Sequence, residues 1–137
     1  FREMLPFISF QLIGAFLASM ALKFLFPEDI LLGSTIPNGS WQQSFVLEFI
    51  LTFLLMYVIL NVSTGAKEKG IMAGTAIGAT VGLEAMFAGP ICGASMNPAR
   101  SIAPAIVSGE LQFLWVYIVS TILGSVFAVL INKITRK

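Results

Sequence analysis

The fold class this sequence predicts is an all-α membrane protein, with four transmembrane helices plus one re-entrant half-helix. Three observations lead there. Hydrophobic residues make up 57% of the 137 and charged residues only 11%, against about 25% charged in a soluble domain. Four stretches are apolar over roughly the 20 residues that a bilayer crossing requires. The apolar region left over is broken by "GASMNPARSIAP", residues 93–104, which puts asparagine, proline and arginine where a greasy span would otherwise continue.

The first span is 7–26, interrupted only by Gln11, two serines and Lys23. The second, 44–62, carries Glu48, and the third, 71–88, is rich in Gly and Ala and carries Glu84. The fourth is 111–131. Gly14 with Ala18 in the first span, and Gly124 with Ala128 in the fourth, have the small-xxx-small spacing that lets helices pack closely. Residues 89–109 hold the broken motif. Asn97 is a good N-cap, and Pro98 is tolerated at the first helical position, where its missing N–H would be unpaired anyway. From Pro98 to Ser108 is about ten residues, or roughly 15 Å, half of a hydrocarbon core of about 30 Å. Such a helix dips to the midplane and stops, which makes residues 89–96 a re-entrant loop whose carbonyls line an aqueous path.

Orientation follows from lysine and arginine in the short connections. Arg2 precedes the first span, Lys67 and Lys69 fall between the second and third, and Lys133, Arg136 and Lys137 end the chain. The connection 27–43 has Glu28 and Asp29 but no basic residue. Both termini and the Lys67 loop are therefore expected on the cytoplasmic side, with the motif loop entering from outside. Lys23 is the exception and can snorkel to the interface.

Net charge is +1, which gives no basic footprint for nucleic acid. A single cysteine, Cys92, and no histidine rule out an internal disulfide, the usual metal clusters and the common catalytic triads. No cofactor or metal is expected, and no enzymatic activity. The start at Phe1 reads as the interior of a longer gene product.

A helix N-terminus at the midplane presents unpaired N–H groups and about half a positive charge. Arg100, one turn into that helix, adds fixed donors and a permanent charge that excludes protons and other cations. Glu48 reads either as a buried acid that holds a loop by pairing with backbone or arginine, or as a direct participant in transport. Glu84 reads as a structural or intersubunit polar contact, or as pore lining.

These residues resemble a family, the major intrinsic proteins (aquaporins and glycerol facilitators). "GASMNPARSIAPA" is similar to the family's second Asn-Pro-Ala signature, here Asn97, Pro98 and Ala99. "FREMLPFISFQLIGAFLA" resembles the entry to its third span, Glu48 in "VLEFILTFLLMYVIL" its fourth-span glutamate, and "LWVYIVSTILGSVFAVL" its sixth span. Ser120 and Thr121 depart from the Gly-Pro usual there, a change that bears on the bend of the last span. "AMFAGPICGASMNPARS" looks most like the nodulin-26-like branch and its prokaryotic relatives.

The resemblance implies an aquaporin-like bundle, of which this chain supplies spans three to six and one half-helix. It implies a partner fragment carrying the first two spans and the first Asn-Pro-Ala loop, a homotetramer of assembled channels, and a multi-pass place in a plasma or bacterial inner membrane. It also implies a selectivity filter of Arg100, Ala94 and Ala85, with a fourth residue outside the chain. Alanine at 85, where orthodox water channels carry histidine, implies a wide filter. The expected function is a passive channel for water and small uncharged solutes such as glycerol, or metalloid hydroxides, that excludes cations and protons. The alternative is a proton-coupled secondary transporter with a broken helix, using Glu84 or Glu48 as the coupling carboxylate.

Overall fold

The computed structural model of the chain describes residues 2–63 and 67–135, with the backbone alone at 67–70. Phe1, Arg136, Lys137 and the side chains of Lys67 and Lys69, which enter the expectations about chain start and orientation, lie outside the described residues. Among the described residues five helices follow in order: α1 Met4–Leu25, α2 Trp41–Ser63, α3 Lys67–Cys92, α4 Pro98–Ser108 and α5 Leu114–Thr135. Four are long and apolar enough to cross a membrane, while α4 has 11 residues. The chain is an all-helical membrane protein with one half-length helix.

Helix ends differ from the hydropathy boundaries wherever a local bond overrides composition. α1 starts three residues before the span expected from Phe7, because Pro6 falls in the first turn, where no N–H is needed. Its first helical bond runs from the Phe7 N–H to the Glu3 carbonyl at 3.1 Å. α2 starts at Trp41 rather than Ser44, after the Ser40 hydroxyl accepts the Gln43 N–H at 3.2 Å. α5 starts later than Leu111, since a turn bonds the Leu114 N–H to the Leu111 carbonyl at 3.2 Å.

The largest difference is at α3. Its backbone is helical from Lys67, where a connection to Gly70 is expected, and it runs through Gly89 and Pro90 to Cys92. The re-entrant loop is correspondingly shorter, 93–97. Pro90 removes one helical bond near the end, yet the helix continues because Asn38 caps it. The Asn38 Nδ2 donates to the Pro90 carbonyl and its backbone N–H to the Ile91 carbonyl, both at 3.1 Å. Those carbonyls are among the last four of the helix, which have no intrahelical partner.

The helices pack in a row that departs from chain order: α3 on α2, α2 on α5, α5 on α4, and α4 on α1. The α2–α5 crossing is close. A methyl added at Gly124 would lie 2.5 Å from the Phe49 carbonyl oxygen, so only glycine fits there. Phe127 packs between Phe49 and Phe53, at centroid distances of 5.8 and 5.6 Å. Trp41 and Trp115 meet at 5.2 Å where these two helices begin, the kind of aromatic pair that sits at a membrane interface. A methyl added at Gly14 in α1, by contrast, would meet nothing within 4 Å among the described residues outside its own stretch of helix.

α5 is continuous through Ser120 and Thr121, both buried. Their hydroxyls donate to the carbonyls of Val116 and Tyr117, each at 2.6 Å. Such back-bonding satisfies a hydroxyl in an apolar setting and tends to bend the helix slightly. Large apolar side chains cover the outside, Phe10, Phe24, Met86 and Ile134 among them, as a lipid-facing surface requires.

Candidate pore-lining site

The site is built around the first turn of α4. Asn97 is extended (φ −153°, ψ 120°), and its Oδ1 accepts the Ala99 N–H at 2.9 Å, with Pro98 as the first helical residue. At the other end Gly109 takes the left-handed conformation (φ 88°) and returns its N–H to the Ala105 carbonyl. Both ends of this short helix are therefore capped within the chain.

The approach to Asn97 is a tight bend in which Gly93, Ala94 and Met96 all have positive φ, at 88°, 43° and 54°. Left-handed backbone costs a non-glycine residue roughly 1–2 kcal/mol, so something must hold it. Glu48, fully buried on α2, does so with both carboxylate oxygens: Oε1 accepts the Ser95 N–H at 2.8 Å and Oε2 the Met96 N–H at 3.0 Å. Two bonds to one buried side chain fix both N–H groups of the bend at once. A chain of hydroxyls adds to the clamp. Thr35 donates to Ser101 at 2.7 Å, Ser101 and Ser95 share a bond of 2.5 Å, and Ser95 donates to the Asn97 carbonyl at 2.9 Å.

Arg100 extends from α4 and donates through Nη1 to the Gly33 carbonyl at 2.6 Å. It lines a cavity of about 450 Å³ together with Asn97, Ala99, Gln11, Leu32 and Gly33. Pro98 and Met96 border a second, mostly apolar space of about 150 Å³, whose lining residues include Thr52, Thr121 and Ser125. The α4 N-terminus thus stands between two cavities. Nδ2 of Asn97 has no protein partner among the described residues, and neither do the remaining guanidinium donors of Arg100.

Of the expected filter residues, only Arg100 lines the larger cavity. Ala94 is buried in a cluster with Leu51, Ala88 and Cys92. Ala85 is exposed on α3, a helix that packs on α2 and on no other helix among the described residues. Glu84, only 4% exposed, lies on the α2 side of α3 with its Oε2 unpartnered among the described residues. The loop residues Gly33, Thr35 and Asn38 are functional neighbours that sequence reading missed. Only the turn-forming Leu-Gly and Asn-Gly pairs hinted at them, and nothing in their spacing pointed to α4.

The fold and site together define a multi-pass helical membrane protein whose half-length helix, capped by asparagine, divides two cavities. The family model of major intrinsic proteins matches residues 1–132, and the chain belongs to the major intrinsic protein family. It is 46% identical over 126 residues to Aquaporin NIP1-1 of Zea mays, covering 91% of this chain and 45% of the relative. It is 44% identical to Nodulin-26 of Glycine max, covering 92% and 47%. It is 48% identical over 120 residues to Probable aquaporin NIP5-1 of Arabidopsis thaliana, covering 88% and 40%. The chain spans about half the length of the curated relatives it matches.

Proposed function

We propose that the chain is the C-terminal part of a passive transmembrane channel for water and small uncharged solutes, and no enzyme. One observation carries the reading: Asn97 and Arg100 line one cavity at the start of a half-length helix, and the Asn97 Nδ2 and all the Arg100 donors but the one bound to Gly33 have no partner among the described residues. Donors without acceptors hydrogen-bond neutral solutes, while a fixed positive charge repels cations. Neither step needs a titrating group.

In this reading the remaining wall comes from a companion segment with two spans and another Asn-Pro-Ala loop, which faces Asn97 from the cytoplasmic side. Ala85 and Ala94 then complete the constriction with Arg100, and assembled channels form a homotetramer with the termini of this chain in the cytoplasm of a plasma or bacterial inner membrane. Glycerol is the solute class that two methyl-sized filter residues favour, with metalloid hydroxides of similar shape beside it.

A second reading, proton-coupled transport, has one observation in its favour, the buried carboxyl oxygen of Glu84 that has no partner among the described residues. Glu48 does not serve it, because both its oxygens already hold backbone N–H groups. Vesicle shrinkage separates the two. A channel conducts equally at every imposed proton gradient, whereas a coupled transporter follows the gradient. Arg100→Val removes the fixed charge, so proton or cation leak should rise while water flux persists. Vesicles as proton-tight as wild type would reduce Arg100 to a structural residue.

A further inference from the structure

The guanidinium of Arg100 has five N–H donors in a rigid fork, and among the described residues it makes one hydrogen bond, to the Gly33 carbonyl. Whatever places that carbonyl therefore places the fork. Gly33 sits in a turn where two successive residues are left-handed, Leu32 at φ 51° and Gly33 at φ 74°. Glycine takes this conformation freely, but leucine does not; the cost is about 1–2 kcal/mol. Leu32 is nonetheless only 3% exposed, with its side chain in the wall of the Arg100 cavity.

The turn is held from both sides. Downstream, Ser34 pairs with Ser108 at 2.9 Å and Thr35 with Ser101 at 2.7 Å, which fastens the loop to α4. Upstream, the Oδ1 of Asp29 accepts two backbone N–H groups, from Leu31 at 3.0 Å and Leu32 at 3.2 Å. This is the local side-chain bond by which aspartate mimics a turn. The Asp29 N–H also donates to the Phe26 carbonyl at 3.0 Å, and the Ser34 N–H to the Leu31 carbonyl at 2.8 Å.

We propose that Asp29, an exposed carboxylate lining neither cavity, is a positioning residue for Arg100 and so a determinant of solute selectivity. The inference rests on the reading of Arg100 as a wall of the constriction. Without Oδ1 the N–H of Leu32 loses its acceptor, and Leu32 relaxes toward ordinary backbone. The Gly33 carbonyl then turns away, and the released fork swings into the space it now borders. Solutes wider than water lose most.

The test uses the full-length channel in vesicles, with water, urea, glycerol and erythritol fluxes measured by light scattering. Asp29→Ala should lower the flux of the widest solute that wild type passes by at least about threefold relative to water. Asp29→Asn keeps Oδ1 and removes the charge, so it should stay within about twofold of wild type. Hydrogen exchange supplies a readout free of transport: the Leu31 and Leu32 amides should exchange faster in Asp29→Ala alone. An unchanged flux ratio in Asp29→Ala overturns the proposal, as do equal shifts in both variants, which would make the effect one of charge. Failure of Asp29→Ala to assemble, seen by size exclusion, also overturns it by assigning Asp29 to folding. Arg100→Val isolates the underlying reading. If that variant shifts the ratio and Asp29→Ala does not, only the role of Asp29 falls; if neither does, Arg100 is no wall.

Discussion

Glu48 shows how much one side chain carries in a medium without water. Two backbone N–H groups in a strained bend take the two oxygens of this one buried side chain as their acceptors, and hydrocarbon offers none. Glu48→Ala would strand both, at about 1–3 kcal/mol each, with a cavity left beside Leu51. Glu48→Gln retains one acceptor oxygen and should strand only one. The expected outcome is a graded fall in thermal midpoint of the purified channel, wild type above Gln above Ala, with water flux lost in the same order. If Gln proved as damaging as Ala, the charge itself would matter, and not the count of acceptors.

At the scale of elements, the start of α4 was legible because capping is a local property. Asn97 and Pro98 lie at the start they mark, and the structure has α4 from Pro98 to Ser108, with Gly109 as the C-cap that the sequence reading did not single out. The end of α3 was not legible. Pro90 reads as a breaker, and what keeps the helix going is Asn38, 52 residues earlier in the chain. The same holds for the clamp on the bend, since Glu48 and Ser95 are 47 residues apart, and for Arg100 and Gly33, 67 apart. Side-chain type announced that Glu48 and Arg100 needed partners, but only folding chose them. The cap and the lumen donor of Asn97 can be separated by substitution. Asn97→Asp keeps the oxygen that accepts the Ala99 N–H but replaces Nδ2 by an acceptor, and the carboxylate suits a helix N-terminus. It should unfold near the wild-type temperature while water flux falls and cation leak rises. Asn97→Ala should instead lose about 1 kcal/mol of stability, visible as a lower midpoint in detergent. An Asp variant with normal flux would show that Nδ2 does not face the permeating solute.

The whole molecule is where the filter reading has to be tested, because no single helix here contains it. Among the described residues α3 packs on no helix but α2, so the face bearing Ala85 is open, and a methyl added at Gly74, Gly78 or Gly82 of the same helix would meet nothing there within 4 Å. In the proposed channel a companion wall covers that face and brings Ala85 opposite Arg100. Ala85 is methyl-sized, which leaves width for a three-carbon polyol whose hydroxyls bind the guanidinium while its carbons meet that methyl. Wild type should therefore pass glycerol. Ala85→His places a ring in that width and adds a donor, so glycerol flux should fall by an order of magnitude or more while water flux changes by no more than about threefold. Stopped-flow light scattering on the assembled channel measures both. Equal loss of the two fluxes, or no glycerol flux in wild type, would assign the width to the companion wall and leave Ala85 outside the constriction.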